Sequence, residues 1–359
     1  MSISSAPSAF VLPDARSISY QWTASPSKPN APVVLLSNPL CAPFRSWDHV
    51  VPRLTSIGFS VLRYDQPGHG SSTVPANLSS TTFDSLARDV LQLLNHLSIR
   101  QLHAWVGVSM GAATGIVFAA KHPGIIHKLV VCDTISCSPA NDFALDVFAP
   151  RVAAARRLGV LDAVVEDTAQ RWFGREWLEA NPQEAERIQL VMLDTTVDGF
   201  ETCCAALQSE NFELRSLAQV AGRGVDGALF IIGEKDANLH ESMMDLRRDV
   251  ECGLRENIGS SSVAFKVIKN AGHACYIDGF DAFIDLVTQF LGDKTEEPSS
   301  GQPSSPGIAI NGREHSHYVR IVPAVNQEGG CQCFDEDLWP WTSQATNFSL
   351  IEAGFHVQS

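Results

Sequence analysis

The chain has no run of 18 or more apolar residues, so nothing in it reads as a membrane-spanning helix. Its first residues, MSISSAPSAFVLPDARS, lack a charged segment followed by an apolar core, and no secretory signal is read there. Basic residues are scarce: 26 Lys and Arg stand against 40 Asp and Glu, a formal charge of −14. That balance argues against nucleic acid as a partner, because phosphates require a basic face. Neither a G-x-x-x-x-G-K nor a G-x-G-x-x-G phosphate loop is expected from the sequence. Internal repeats are absent too. The cysteines number nine and follow no framework spacing, which suits a reduced chain better than a disulfide scaffold. A cytoplasmic location is the expectation.

What the chain does have is length and alternation. At 359 residues, with 45% hydrophobic and 18% charged residues, it can bury a large core. Short apolar runs read as buried strands: VVLLS (33–37), SVLRY (60–64), LHAWV (102–106), KLVVC (128–132), ALFII (228–232) and VAFKVI (263–268). Between the second and third, residues 82–97 place apolar side chains at 83, 86, 90, 93, 94 and 97, one face of an amphipathic helix. Strand–helix alternation predicts an α/β fold with a mostly parallel sheet flanked by helices.

The alternation breaks at residues 137–223, where ALDVFAPRVAAARRLG and EAERIQLVML carry helical patterns without a convincing strand. The expected organisation is a core of residues 1–136 and 224–291 with an inserted helical cap over the carboxyl ends of the strands. Open α/β sheets bind ligands there. After residue 291 the composition shifts to Pro, Ser and Gly, and residues 292–359 hold nine acidic and three basic residues, a balance of −6. That stretch reads as a linker and a disordered acidic tail.

The chemistry starts at GVSMG (107–111), a G-x-S-x-G between a predicted strand and a predicted helix. Small neighbours allow a sharp turn that lifts the Ser109 hydroxyl out of the fold, and Met110 can offer its N–H at a helix N-terminus. A serine hydroxyl needs a base, and in the chain order Ser…Asp/Glu…His the base follows the last strand and the acid the strand before it. His273 and Asp236 occupy those places. Glu234 and Asp133 remain alternative acids, Asp133 as the reserve, while Asp65 and His69 read as structural. A second oxyanion donor should come from the loop after VVLLS. Pro39 has no N–H, so Leu40 is the candidate. Cys331-x-Cys333 and His315-x-His317 match no justified zinc spacing, so no metal or organic cofactor is expected.

These residues resemble the α/β-hydrolase superfamily, and within it the 3-oxoadipate enol-lactonases. The stretches that carry the resemblance are LLSNPLCAPFRSWDHVVPRL, VLRYDQPGHGSS, GVSMGAATG, RWF (171–173) and TTVDGFETCCAAL (195–207), the last two within the cap. The resemblance implies hydrolysis of a small ester or lactone through an acyl-serine, with Ser109, Asp236 and His273 as triad and Trp172 and Phe200 lining the pocket. A serine at the elbow excludes the aspartate nucleophile of epoxide- and halide-opening relatives. Departures are Pro39 in the SNPLC loop, Ala112 in place of a second glycine, and GHACYIDGF after the histidine. Alternatives within the fold are a tailoring esterase, carbon–carbon hydrolase or acyltransferase. Outside enzymology, a ligand-binding protein would use the same scaffold.

Overall fold

A computed structural model of the chain describes residues 7–259 and 262–292. Apart from Gly292, the segment read as linker and tail lies outside the described residues, as do Cys331, Cys333, His315 and His317. In chain order the elements are β1 (Ser8–Val11), β2 (Ser17–Thr23), β3 (Val33–Ser37), α1 (Val50–Ser56), β4 (Ser60–Tyr64), α2 (Phe83–His96), β5 (Leu102–Val108), α3 (Met110–Lys121) and β6 (Ile126–Cys132). Next come α4 (Ala149–Leu158), α5 (Asp162–Ala180), α6 (Pro182–Leu193), α7 (Val197–Gln208) and α8 (Arg215–Arg223). The chain then forms β7 (Gly227–Gly233), α9 (His240–Ile258), β8 (Ala264–Ile268), α10 (Cys275–Asp278) and α11 (Phe280–Gly292).

The strands form one sheet in the order β1-β2-β4-β3-β5-β6-β7-β8. The pairs β1–β2 and β2–β4 are antiparallel and the rest parallel. Register decides where the loops meet. Ser37 pairs with Gly107, Val108 with Cys132, and Gly233 with Ile268. The loops after β3, β5, β6, β7 and β8 therefore leave the sheet along one edge, as parallel strands connected through helices require.

Side chains alternate across the strands. Leu35, Leu62, Trp105, Leu129 and Phe230 join α2, α3, α8 and α9 in one buried cluster; Val34, Val61, Val106, Val130 and Ile231 join α1, α11 and most of the cap in the other. Helix α2 starts at a capping box between Thr82 and Ser85, which satisfies two amides the helix leaves open.

Four features differ from the expectations. The hairpin strands β1, only four residues long, and β2, mixed in composition, close one end of the sheet. VAFKVI was read as buried, yet β8 is an edge strand with Ala264, Lys266 and Val267 exposed. Helix α8 was read as cap, but it packs on α3 and α9 beside the sheet, so by packing the cap is α4–α7 and residues 215–223 flank the core. Finally, residues 222–227 match G-x-G-x-x-G. The match runs from a helix into a strand, the reverse of the order a phosphate loop needs. Among the described residues, no helix is long and apolar enough to cross a membrane.

Candidate active site

Ser109 sits between the end of β5 and the first turn of α3 with φ 54° and ψ −121°. A non-glycine residue leaves that region unless its surroundings over-determine it. They do: the Ser109 amide donates to Cys132 O at 2.8 Å, and its carbonyl accepts from Ala112 and Ala113 in α3. Glycine is obligatory on both sides for lack of room. A Cβ at Gly107 would strike the Gly111 backbone, and one at Gly111 would strike Ser37 O.

His273 lies in the loop after β8. Its Nδ1 stands 2.7 Å from Asp236 Oδ2, in the loop after β7. A carboxylate oxygen accepts, so Nδ1 carries the proton and Nε2 is left bare to take one. The His273 amide donates to Trp172 O, tying the base to the cap. Asp278 Oδ2 accepts the neighbouring Gly272 N–H at 2.7 Å, and burial pushes the Asp278 carboxyl up to about 7.

The two alternative acids do other work. Glu234 Oε2 accepts the Asn270 N–H. Asp133, fully buried, accepts the Gly233 N–H on Oδ1 and lies against the Cys275 thiol. Burial, with the nearby Asp236 charge, holds the Asp133 carboxyl well above the usual carboxylate range. Asp133 is thus biased toward its neutral form, while Asp236 is the carboxylate set against His273.

Ser109 and His273 line one cavity of about 170 Å³, together with Leu40, Trp172 and Phe200. Met110 is buried directly behind the serine. Among the described residues, neither the Leu40 nor the Met110 amide is taken up by a protein acceptor. Both therefore remain available to an anionic oxygen. The cap seats Phe200 through a backbone contact: Gly68, after β4, and Gly199, in α7, touch so closely that a Cβ on either would overlap the other. This contact gives the glycine of TTVDGFETCCAAL a physical reason. Gly199→Ala is expected to cost about 1–3 kcal/mol, as overpacking does, and to raise KM by displacing Phe200. Thermal melts and steady-state kinetics check both effects.

Two charged residues of the cavity wall are absent from the sequence-based candidates. Arg151 in α4 and Arg171 in α5 reach an otherwise mainly apolar wall. Both point a guanidinium at one carboxylate, Asp167, at 3.4 and 3.2 Å. Two cations sharing one anion leave a positive charge uncompensated, and burial with the Arg171 charge draws the Arg151 guanidinium below its ordinary value. Composition does not mark these arginines: Arg151 sits in a stretch with two further arginines, and Arg171 falls in RWF, where the resemblance assigns only Trp172 to the pocket. Among the described residues, no cluster of His, Cys, Asp and Glu could hold a metal ion.

The family model for the alpha/beta hydrolase fold matches residues 32–181. Two curated relatives from Acinetobacter baylyi are 3-oxoadipate enol-lactonase 1, 32% identical over 178 residues, and 3-oxoadipate enol-lactonase 2, 29% identical over 176. Those alignments cover 50% and 49% of this chain but only 63% and 62% of the relatives, less than two thirds of their length. The crystal structure of the enol-lactonase from Burkholderia xenovorans superposes with a TM-score of 0.66 at 28% identity, covering 80% of this chain and all of that one.

Proposed function

From the premise that the chain is an α/β hydrolase by fold, resembling the enol-lactonases, we propose that it is a serine hydrolase of a small ester or lactone bearing a carboxylate. The observation that carries the reading is one cavity holding a strained Ser109 and a His273 whose Nδ1 is bound to Asp236. Ser109 Oγ attacks the carbonyl carbon as its proton passes to His273 Nε2. The Leu40 and Met110 amides take the oxyanion, with the N-terminus of α3 adding its positive end. Collapse breaks the acyl–oxygen bond, and His273 returns the proton to the leaving oxygen. With a lactone, the leaving group stays tethered to the acyl-serine. Water, deprotonated by the same nitrogen, then attacks and releases the acid and Ser109. The seven described cysteines are free thiols, which suits the cytoplasm.

The unbalanced Arg151 and Arg171 argue for the carboxylate on the substrate, because a bound anion would neutralise the charge they leave open. Arg151→Met, close in length and uncharged, should raise KM for carboxylate-bearing esters about 10–100-fold, the worth of one charge-assisted hydrogen bond. KM for matched neutral esters should stay within about threefold. Equal effects on both series would sink the anionic-substrate assignment. Hydrolysis itself is tested by fluorophosphonate labelling of wild type, Ser109→Ala and His273→Ala, with enol-lactones and aryl esters assayed in parallel. A folded wild type that neither labels nor turns over any of them would shift the assignment to a ligand-binding protein.

A further inference from the structure

The loop that carries the Leu40 amide is held from outside itself. On its near side, Gln66 Nε2 donates to Asn38 O at 2.8 Å. On its far side, the Cys41 amide donates to His69 Nε2 at 2.9 Å. Only Pro39 and Leu40 lie between these anchors, so the two bonds bracket the Pro39–Leu40 peptide that carries the Leu40 N–H, and the Ala42 amide meets the Pro39 carbonyl of that peptide at 3.4 Å. Cys41 has φ 66°, a left-handed conformation that a residue with a side chain abandons unless something holds it. The His69 bond is at that residue.

His69 suits this task because its protonation state is forced by its partners. Its Nδ1 is 3.0 Å from Pro67 O, which can only accept, and its Nε2 faces an amide, which can only donate. The ring is therefore neutral, with the proton on Nδ1 and a lone pair on Nε2. It is completely buried, and desolvation lowers it to about 4, so it stays neutral across the working range. The cap closes over it through a bridge between His69 and Thr195 and the bond from the Thr196 amide to Gly68 O.

We infer that His69 is a positioning residue for the oxyanion hole: by accepting the Cys41 N–H it fixes the peptide that follows Leu40 and so aims the Leu40 amide at the reacting carbonyl. The inference rests on the serine-hydrolase reading above. A merely space-filling histidine would affect stability and substrate binding; a positioning one affects the transition state.

The test compares His69→Leu, which fills the space without an acceptor, with His69→Gln, whose Oε1 can accept the same amide. His69→Leu should lower kcat about 10²–10³-fold with KM within about threefold, the signature of a lost oxyanion donor. Affinity for a phenylboronic acid, which forms a tetrahedral adduct on the serine, should fall in parallel while affinity for a product carboxylate holds. His69→Gln should recover at least about tenfold of the loss. A folded His69→Leu protein with kcat within about threefold of wild type, or equal losses in both variants, would overturn the inference. Should His69→Leu not fold, the nitrogen-15 histidine spectrum of the wild type decides. A bare Nε2 supports the assignment, and a proton on Nε2 refutes it, since that nitrogen could not accept from Cys41. A wild type without labelling or turnover would instead sink the hydrolase reading, whatever the tautomer.

Discussion

Ser109→Ala is expected to lower kcat by about 10⁵–10⁶-fold while leaving the protein folded, because loss of the nucleophile also idles the base and the acid that serve it. Fluorophosphonate labelling should vanish with it. The backbone at position 109 keeps φ 54°, a conformation imposed by the bonds to Cys132 O and from Ala112 and Ala113 rather than by the hydroxyl. Alanine carries the same strain as serine there, so the melting temperature should barely move. Residual turnover of about 10³-fold over water would be consistent with the two oxyanion amides acting alone. Turnover close to wild type would mean that another group attacks the carbonyl, and the elbow would lose its assigned role.

The second large effect separates the two aspartates. Asp236→Asn should cut kcat by about 10⁴-fold, since asparagine can present an amide to Nδ1 and favour the wrong imidazole tautomer. Asp133→Asn should change kcat by no more than about tenfold, because asparagine is uncharged, the form toward which burial already biases Asp133, and keeps an acceptor for Gly233 N–H. The reverse order would make Asp133 the orienting acid. The same variant carries a pH signature. The folded-state value for Asp133 lies above its unfolded value of 3.8, so the folded protein holds a proton that the unfolded chain has released. That stabilisation is complete below about 3.8 and is lost as pH rises toward the folded value. Asp133→Asn has nothing to lose there, so its melting temperature should gain on wild type from pH 4 to pH 8. A constant difference across that range would contradict the protonated state of Asp133.

The elbow was legible because it is local. Gly107, Ser109 and Gly111 lie within five residues, and the requirement for glycine comes from backbone contacts that any strand-to-helix turn of this kind imposes. Chain order also set His273 apart from the other histidines, since parallel strands deliver their following loops to a single edge. Pro39 pointed to Leu40 by lacking a donor. The amphipathic periods were equally readable, and α2 runs within one residue of the stretch its apolar spacing marked out.

Other features depended on distance in space between residues far apart in sequence. Chain order favoured Asp236 but left Glu234 and Asp133 open, since all three follow strands that end at the same edge, and the 2.7 Å approach to His273 separates Asp236 from them. Arg151 and Arg171 belong to different helices and become a pair only because both turn toward Asp167. His69 reads as an ordinary loop histidine until the fold sets its Nε2 against the Cys41 amide, 28 residues away. The exposed face of β8 and the seat of α8 beside α3 followed from strand order and helix packing, which apolar runs alone do not encode. The sequence by itself determined the layered α/β scaffold and the serine turn between two glycines, and it marked Ser109 and His273 as candidates, because these depend on periodicity, chain order and short-range sterics. Tertiary structure alone decided which carboxylate meets His273, which cations line the cavity and which groups bond the loop around Leu40, because hydrogen bonds, burial and Coulomb interactions act through space and not along the chain.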